Sequence, residues 1–193
     1  MTTRSPLAPD RFPDLPAIDG LDLAVAASGL KYKNRDDLML IKLCDTATVA
    51  GVFTQSDTAA APVIWSRHVV ANGRAGAILT NAGNANAFTG EHGRVSVHQT
   101  SAALAGVLGI STDQILMAST GVIGEPLDSA KLSAYFSELA ANQGASWEQA
   151  AGAILTTDTF PKGAHITCDI DGVSVNICGI AKGSGMIAPN MAT

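Results

Sequence analysis

The chain has 193 residues, 47% of them apolar and 15% charged, with a formal net charge of −5 and a mean hydropathy of +0.22. That length fits one domain, or one large and one small, and the low charge with high apolar content excludes intrinsic disorder. No apolar run approaches the roughly 18 residues of a membrane-spanning helix, and 12 basic against 17 acidic residues, without a basic cluster, argue against nucleic acid as a partner.

Residues 1–20 hold four of the eight prolines and few periodic apolar positions, so they read as an extended lead-in. They contain no apolar stretch of the kind that opens a secretory signal. Leu21–Leu30, Leu38–Cys44 and Val49–Gln55 read as three strands of an antiparallel meander, with a turn at Asn34-Arg35-Asp36. Pro62–Val70 is ambiguous between strand and helix. Ala75–Thr80 reads as a short buried strand entering a dense turn signal, Asn81 to Asn86. Asn81, Asn84 and Asn86 are expected to hold that turn by side chain to backbone bonds.

A helix is expected from about Glu91 to Leu108, because Val97, Ser101, Leu104, Ala105 and Leu108 share one face of a 3.6-residue period, and Gly109 ends it. Gln114–Ala118 reads as a strand leading into Ser119-Thr120-Gly121. One helix is expected from Asp128 to about Asn142, with Leu132, Tyr135, Phe136 and Leu139 on one face and Asp128 or Ser129 as N-cap. Ser146 followed three residues later by Gln149 is a capping box that opens a helix to about Leu155. Residues 163–180 are a hairpin turning at Asp171-Gly172. Its period of two places Ile166, Cys168, Ile170, Val173, Val175 and Ile177 on one face, which is expected to be buried. Strands and helices without strict alternation indicate α+β, or α/β with a mixed sheet.

Cys44, Cys168 and Cys178 are odd in number and form no C-x-x-C, which argues against disulfides and zinc and makes a reducing cytosol the default compartment. His68, His92, His98 and His165 show no ligand spacing, and Trp65 and Trp147 read as packing residues. The remaining segment, Lys182 to Thr193 (KGSGMIAPNMAT), places two glycines around a serine beside a lysine. By spacing alone it reads as a flexible loop or a weak phosphate cradle, since the Gly-Lys-Ser/Thr order of a P-loop is absent. The sequence stops at Ala192-Thr193 without a closing helix, tail or charge run, and so reads as the first half of a self-cleaving precursor. Cleavage before a threonine bares an α-amine of pKa about 7.7–8.0, which can serve as general base for the neighbouring hydroxyl.

Four segments, in order, resemble the ornithine acetyltransferase family, the bifunctional glutamate N-acetyltransferases of arginine biosynthesis. They are Thr80–Gly90 (TNAGNANAFTG), Ser119–Gly124 (STGVIG), Leu155–Lys162 (LTTDTFPK) and Lys182–Thr193. The resemblance runs from about residue 12 to the end. It implies layered mixed sheets with flanking helices: the alpha chain of a self-cleaved, N-terminal-threonine-nucleophile enzyme, with 21–193 a single α/β domain completed by a beta chain, usually as α2β2.

The resemblance also assigns roles. Thr193 is the nucleophile. Its hydroxyl first attacks the Ala192 carbonyl in an N→O acyl shift, and later carries acetyl from N2-acetylornithine to glutamate. Thr120 and Gly121 form the oxyanion hole. Lys182 binds substrate, with Thr193, and so does Thr159, for which Thr157 is the competing position. In the family the threonine opens the second chain, whereas here Thr193 is the last residue; while Ala192 acylates it, it has no free amine. No metal or cofactor is implied, acetyl-CoA is left open as a second donor, and the expected location is cytoplasmic. The rival readings are a self-processed N-terminal-nucleophile hydrolase, an aminopeptidase or amidase, and a non-enzymatic binding domain.

Overall fold

The computed structural model describes residues 3–184 and Asn190. Its elements are β1 (Leu21–Ala26), β2 (Leu38–Leu43), α1 (Ala61–Val70), β3 (Ala77–Asn84), α2 (Gly90–Leu108), β4 (Ile115–Val122), α3 (Ser129–Ser133), α4 (Phe136–Ala141), α5 (Trp147–Ala153), β5 (Lys162–Ile170) and β6 (Val173–Ala181). The first four strands form one sheet in the order β1-β2-β3-β4, and β5 and β6 form a separate hairpin. β1, β2 and β3 pair antiparallel, while β4 joins β3 parallel through α2. The sheet is therefore mixed and layered with helices, as the sequence pattern and the resemblance both led us to expect.

The apolar residues sort to the two faces of this sheet. On one face Leu38, Leu40, Leu79, Ile115 and Met117 pack against Val97 and Leu104 of α2 and against Leu132, Phe136 and Leu139 of α3 and α4. On the other, Leu23 and Met39 meet Ala150, Ala153 and Ile154 at α5, with Ile180 of the hairpin base beside them. Among the described residues the outer edge of β4 carries no further strand. Helix α1 covers it instead: Trp65 Nε1 donates to the Ile115 carbonyl (2.8 Å), and Ser66 Oγ bonds both the carbonyl and the N–H of Met117 (2.7 and 2.8 Å). These bonds satisfy backbone groups that an open edge would leave unpaired.

Several local expectations are realised. The segment left open between strand and helix is resolved as helix α1, with Pro62 in the first turn, where its missing N–H costs nothing. Gly109 closes α2 in the left-handed region (φ 69°). Asp128 Oδ1 accepts from the Lys131 N–H (3.0 Å), and both capping-box bonds of Ser146 and Gln149 are present. Asp171 and Gly172 both have positive φ (53° and 81°), as the tight hairpin turn requires.

Three expectations are corrected. Val49–Gln55 is not a strand: Thr48 makes one isolated bridge to Arg74, and β3 takes the place beside β2. Val49 packs at the margin of the core, but Val52 is mostly exposed, so the segment lacks the regular buried face of a strand. The expected helix from Asp128 to Asn142 is interrupted at Ala134-Tyr135. Ser133 Oγ bonds back to the Ser129 carbonyl (2.7 Å) at that point, competing with the helical ladder, yet Leu132, Phe136 and Leu139 still reach the core.

The third correction concerns the hairpin. Its apolar face is open: Ile166, Ile170, Val173 and Ile177 are 52–62% exposed. Alternation shows that a face calls for cover, but not that the cover belongs to the same stretch of chain. Among the described residues only the hairpin base is packed, against α5 and against Phe12, whose ring lies where a side chain on Gly163 would stand. Cys168 pairs with Val175 and Cys178 with His165, so the two thiols do not face each other.

Candidate active site

The site forms at the seam between sheet and hairpin, and its first component is the end of β3 and β4. Gly83 and Gly121 face each other across the parallel pair, where the register shifts. Gly121 has φ 134°, and a Cβ there would stand 2.3 Å from the Gly83 carbonyl carbon and 2.6 Å from the Asn84 nitrogen. Both are backbone atoms that cannot swing away, so only glycine fits.

Buried asparagines hold this crossing. Ser119 Oγ donates to Asn81 Oδ1 (2.7 Å), and Asn81 Nδ2 donates to the Asn84 carbonyl (2.8 Å). Asn84 Nδ2 reaches the Glu125 carbonyl (3.0 Å), while its Oδ1 accepts from the Asn86 N–H (2.7 Å). Asn86 Nδ2 in turn donates to the Gly93 carbonyl of α2 (3.0 Å). The side chain to backbone role expected for these residues is what the structure displays. Its effect is to fix the strand end that presents Thr120 and Gly121.

The second component is Lys182, immediately after β6. Its Nζ donates to Thr120 Oγ1 (2.9 Å) and to Thr156 Oγ1 (2.8 Å). The lysine is exposed, the two threonines are half-buried, and no carboxylate pairs with this ammonium among the described residues. Two of its three N–H donors are thus engaged, and the third is left at an accessible point.

The third component is the loop between α5 and β5. Arg35 stacks on the Tyr32 ring, 4.2 Å from its centroid, and donates to the Leu155 carbonyl (2.6 Å), which anchors the loop start. Asp158 closes it. Its side chain is fully buried and accepts from Lys162 Nζ (2.6 Å), the Gly183 N–H (2.7 Å) and the Thr156 N–H (3.4 Å). Burial pushes the Asp158 carboxyl up, but these hydrogen bonds and the Lys162 charge outweigh it and hold the group below the usual carboxylate range.

The structure therefore brings together Thr120, Gly121 and Lys182 of the residues singled out by sequence. Thr159 lies elsewhere: its Oγ1 accepts from the Ser5 N–H (3.2 Å), facing the lead-in, and Thr157 is exposed. The hydroxyl that meets Lys182 is Thr156, which the sequence reading left without a role. The i,i+4 spacing of Asp158 and Lys162 in that loop was the available signal, because a pair of that kind can pin the loop. Ala192 and Thr193 lie outside the described residues. Among the described residues no group of three His, Cys, Asp or Glu could hold a metal ion, and no helix is long and apolar enough to cross a membrane.

At this seam the parallel pair of a mixed α/β sheet ends in the Thr120 hydroxyl and Gly121, and the hairpin base brings beside them Lys182, which has no carboxylate partner among the described residues. Comparison with known proteins gives the family. The model of the ArgJ family matches residues 22–193. The arginine biosynthesis bifunctional protein ArgJ of Agrobacterium fabrum is 49% identical over 190 residues, covering 98% of this chain and 46% of the relative. That of Ruegeria pomeroyi is 50% identical over 196 residues, covering 100% and 48%.

Two solved structures are similar. One is the arginine biosynthesis bifunctional protein of Bacillus halodurans (TM-score 0.83, 35% identity, 90% of this chain and 92% of that one). The other is ornithine acetyltransferase of Mycobacterium tuberculosis complexed with ornithine (TM-score 0.82, 34% identity, 90% and 93%). This chain belongs to the ArgJ family. It spans about half the length of the curated relatives it matches.

Proposed function

We propose that this chain is the alpha part of an ornithine acetyltransferase that moves acetyl from N2-acetylornithine to glutamate. The observation that carries the reading is the Lys182 ammonium held between the Thr120 and Thr156 hydroxyls beside the Gly121 crossing. An exposed ammonium without a carboxylate partner can pair with the α-carboxylate of an amino-acid substrate. Because Lys182 donates into Thr120 Oγ1, the hydroxyl proton of Thr120 is left to donate elsewhere. With the Gly121 backbone beside it, this suits an oxyanion hole.

In this reading the Thr193 hydroxyl attacks the acetyl carbonyl, its proton passing to the threonine's own freed α-amine. The tetrahedral oxyanion collapses, ornithine leaves with the proton, and an acetyl-threonine ester remains. The glutamate amine then attacks the ester and restores the hydroxyl. No cofactor is needed, and acetyl-CoA is a candidate second donor. Thr159 is a candidate second-tier contact only if the lead-in moves from its hydroxyl. The remaining half of the family's length would supply a beta chain that covers the open hairpin face, in an α2β2 assembly. A cytoplasmic location fits a biosynthetic enzyme.

The test is Lys182→Met in the complete protein. Losing a charge-assisted contact of about 1.5–3 kcal/mol should raise KM for N2-acetylornithine roughly 10- to 100-fold. Intact mass after brief exposure of the wild type to N2-acetylornithine should show one acetyl group on the chain that begins with the threonine. An unchanged KM together with no acetylated chain would overturn the reading.

A further inference from the structure

We infer that Asp158 is a positioning residue that sets the reach of Lys182, an inference that rests on the substrate-binding role proposed for that lysine. The buried carboxylate links two segments remote in sequence. It accepts the N–H of Thr156 from one and the N–H of Gly183 from the other. Thr156 carries the hydroxyl that Lys182 Nζ meets, and Gly183 directly follows Lys182, so the carboxylate fixes both backbones of a contact it does not itself make. Gly183 has φ 148°, which gives its N–H the freedom to turn inward.

Lys162 completes the device. A buried carboxylate without its own counter-charge would call for a nearby cation, and Lys182, whose neighbour Gly183 already bonds it, would be drawn inward, away from substrate. Instead Lys162 Nζ pairs with Asp158 Oδ1 at 2.6 Å, and the same ammonium lies over the Phe160 ring, 4.6 Å from its centroid. The carboxylate is thereby neutralised within its own loop, and the charge of Lys182 remains available. The motif thus uses two lysines for separate tasks: one answers the buried acid, and the other is left for a ligand.

The test is a double-mutant cycle in the complete, processed protein, with KM and kcat for N2-acetylornithine as readouts. Asp158→Ala should raise KM about tenfold with a smaller change in kcat, and Asp158→Asn, which retains an acceptor for the Gly183 N–H, should recover part of that loss. Asp158→Ala combined with Lys182→Met should be no worse in KM than Lys182→Met alone, because the first acts through the second. If Asp158→Ala does not fold, the same cycle run with Asp158→Asn decides.

A lowered thermal midpoint and lower kcat at unchanged KM would mark a merely structural residue and overturn the inference, as would KM effects that multiply in the double variant. If Lys182→Met by itself leaves KM unchanged, the substrate-binding reading has failed. If it raises KM while the Asp158 variants do not, only the present inference has failed.

Discussion

The four-stranded sheet and the hairpin each carry an apolar face, yet the two faces end in opposite states. In the sheet, Leu38, Leu79 and Ile115 are completely buried, as is Phe136 of the covering helix α4, because α2, α3 and α4 lie on one face and α5 on the other. In the hairpin, Ile166, Ile170, Val173 and Ile177 are more than half exposed. The difference is chiefly one of cover: helices supplied by the same chain close the first region, whereas among the described residues α5 reaches only the base of the second. The candidate site lies where the two meet, with Thr120 from the closed region and Lys182 from the base of the open one.

The sharpest challenge to this contrast is Phe136→Ala. Removing a fully buried aromatic ring should destabilise the protein by about 3–5 kcal/mol, read from the denaturant midpoint. A loss below about 1 kcal/mol would mean that the helical layer does not close the sheet as described.

Gly121→Ala should come next. The added Cβ meets backbone of Gly83 and Asn84, so the strand ends must separate, at a cost of about 1–3 kcal/mol. Activity should be lost out of proportion to that figure, because the displaced atoms border the proposed oxyanion hole. Full activity with normal stability would show that the crossing is not part of the site.

The smallest effect is expected at Ile170→Thr. At an exposed tip of this chain it should stay within about 0.5 kcal/mol. In the complete protein, once the remaining half of the family's length is present, the same change should cost about 1–2 kcal/mol. Equal values in the two forms would show that nothing covers the face, and the contrast between the regions would then be a permanent property of the fold.

Much of the architecture could be read locally. The period of α2, the capping box at Ser146, the Asp171-Gly172 turn and the N-cap at Asp128 each depend on residues within a few positions of one another, so their chemistry is printed in consecutive letters. The errors share a cause as well. Val49–Gln55 was given a strand slot that β3 occupies, because strand order is a matter of competition between segments far apart. That Thr156 is the hydroxyl meeting Lys182 was hidden for the same reason. All three threonines of 156–159 offer the same hydroxyl, and only the folded loop decides which of them faces Lys182 and which faces Ser5.

The sequence by itself determined the alternation of apolar and polar residues, the helix ends, the tight turn and the family's four motifs, because these are short-range patterns of size, polarity and backbone freedom. Tertiary structure alone decided that Lys182 meets Thr120 and Thr156 across separations of 62 and 26 residues, and that Asp158 ties Gly183 in place from 25 residues away. It also decided that one face of the hairpin stays open. Contacts of that range exist only once the sheet, α5 and the hairpin base have packed, since it is their shared core that brings the three loops to one seam.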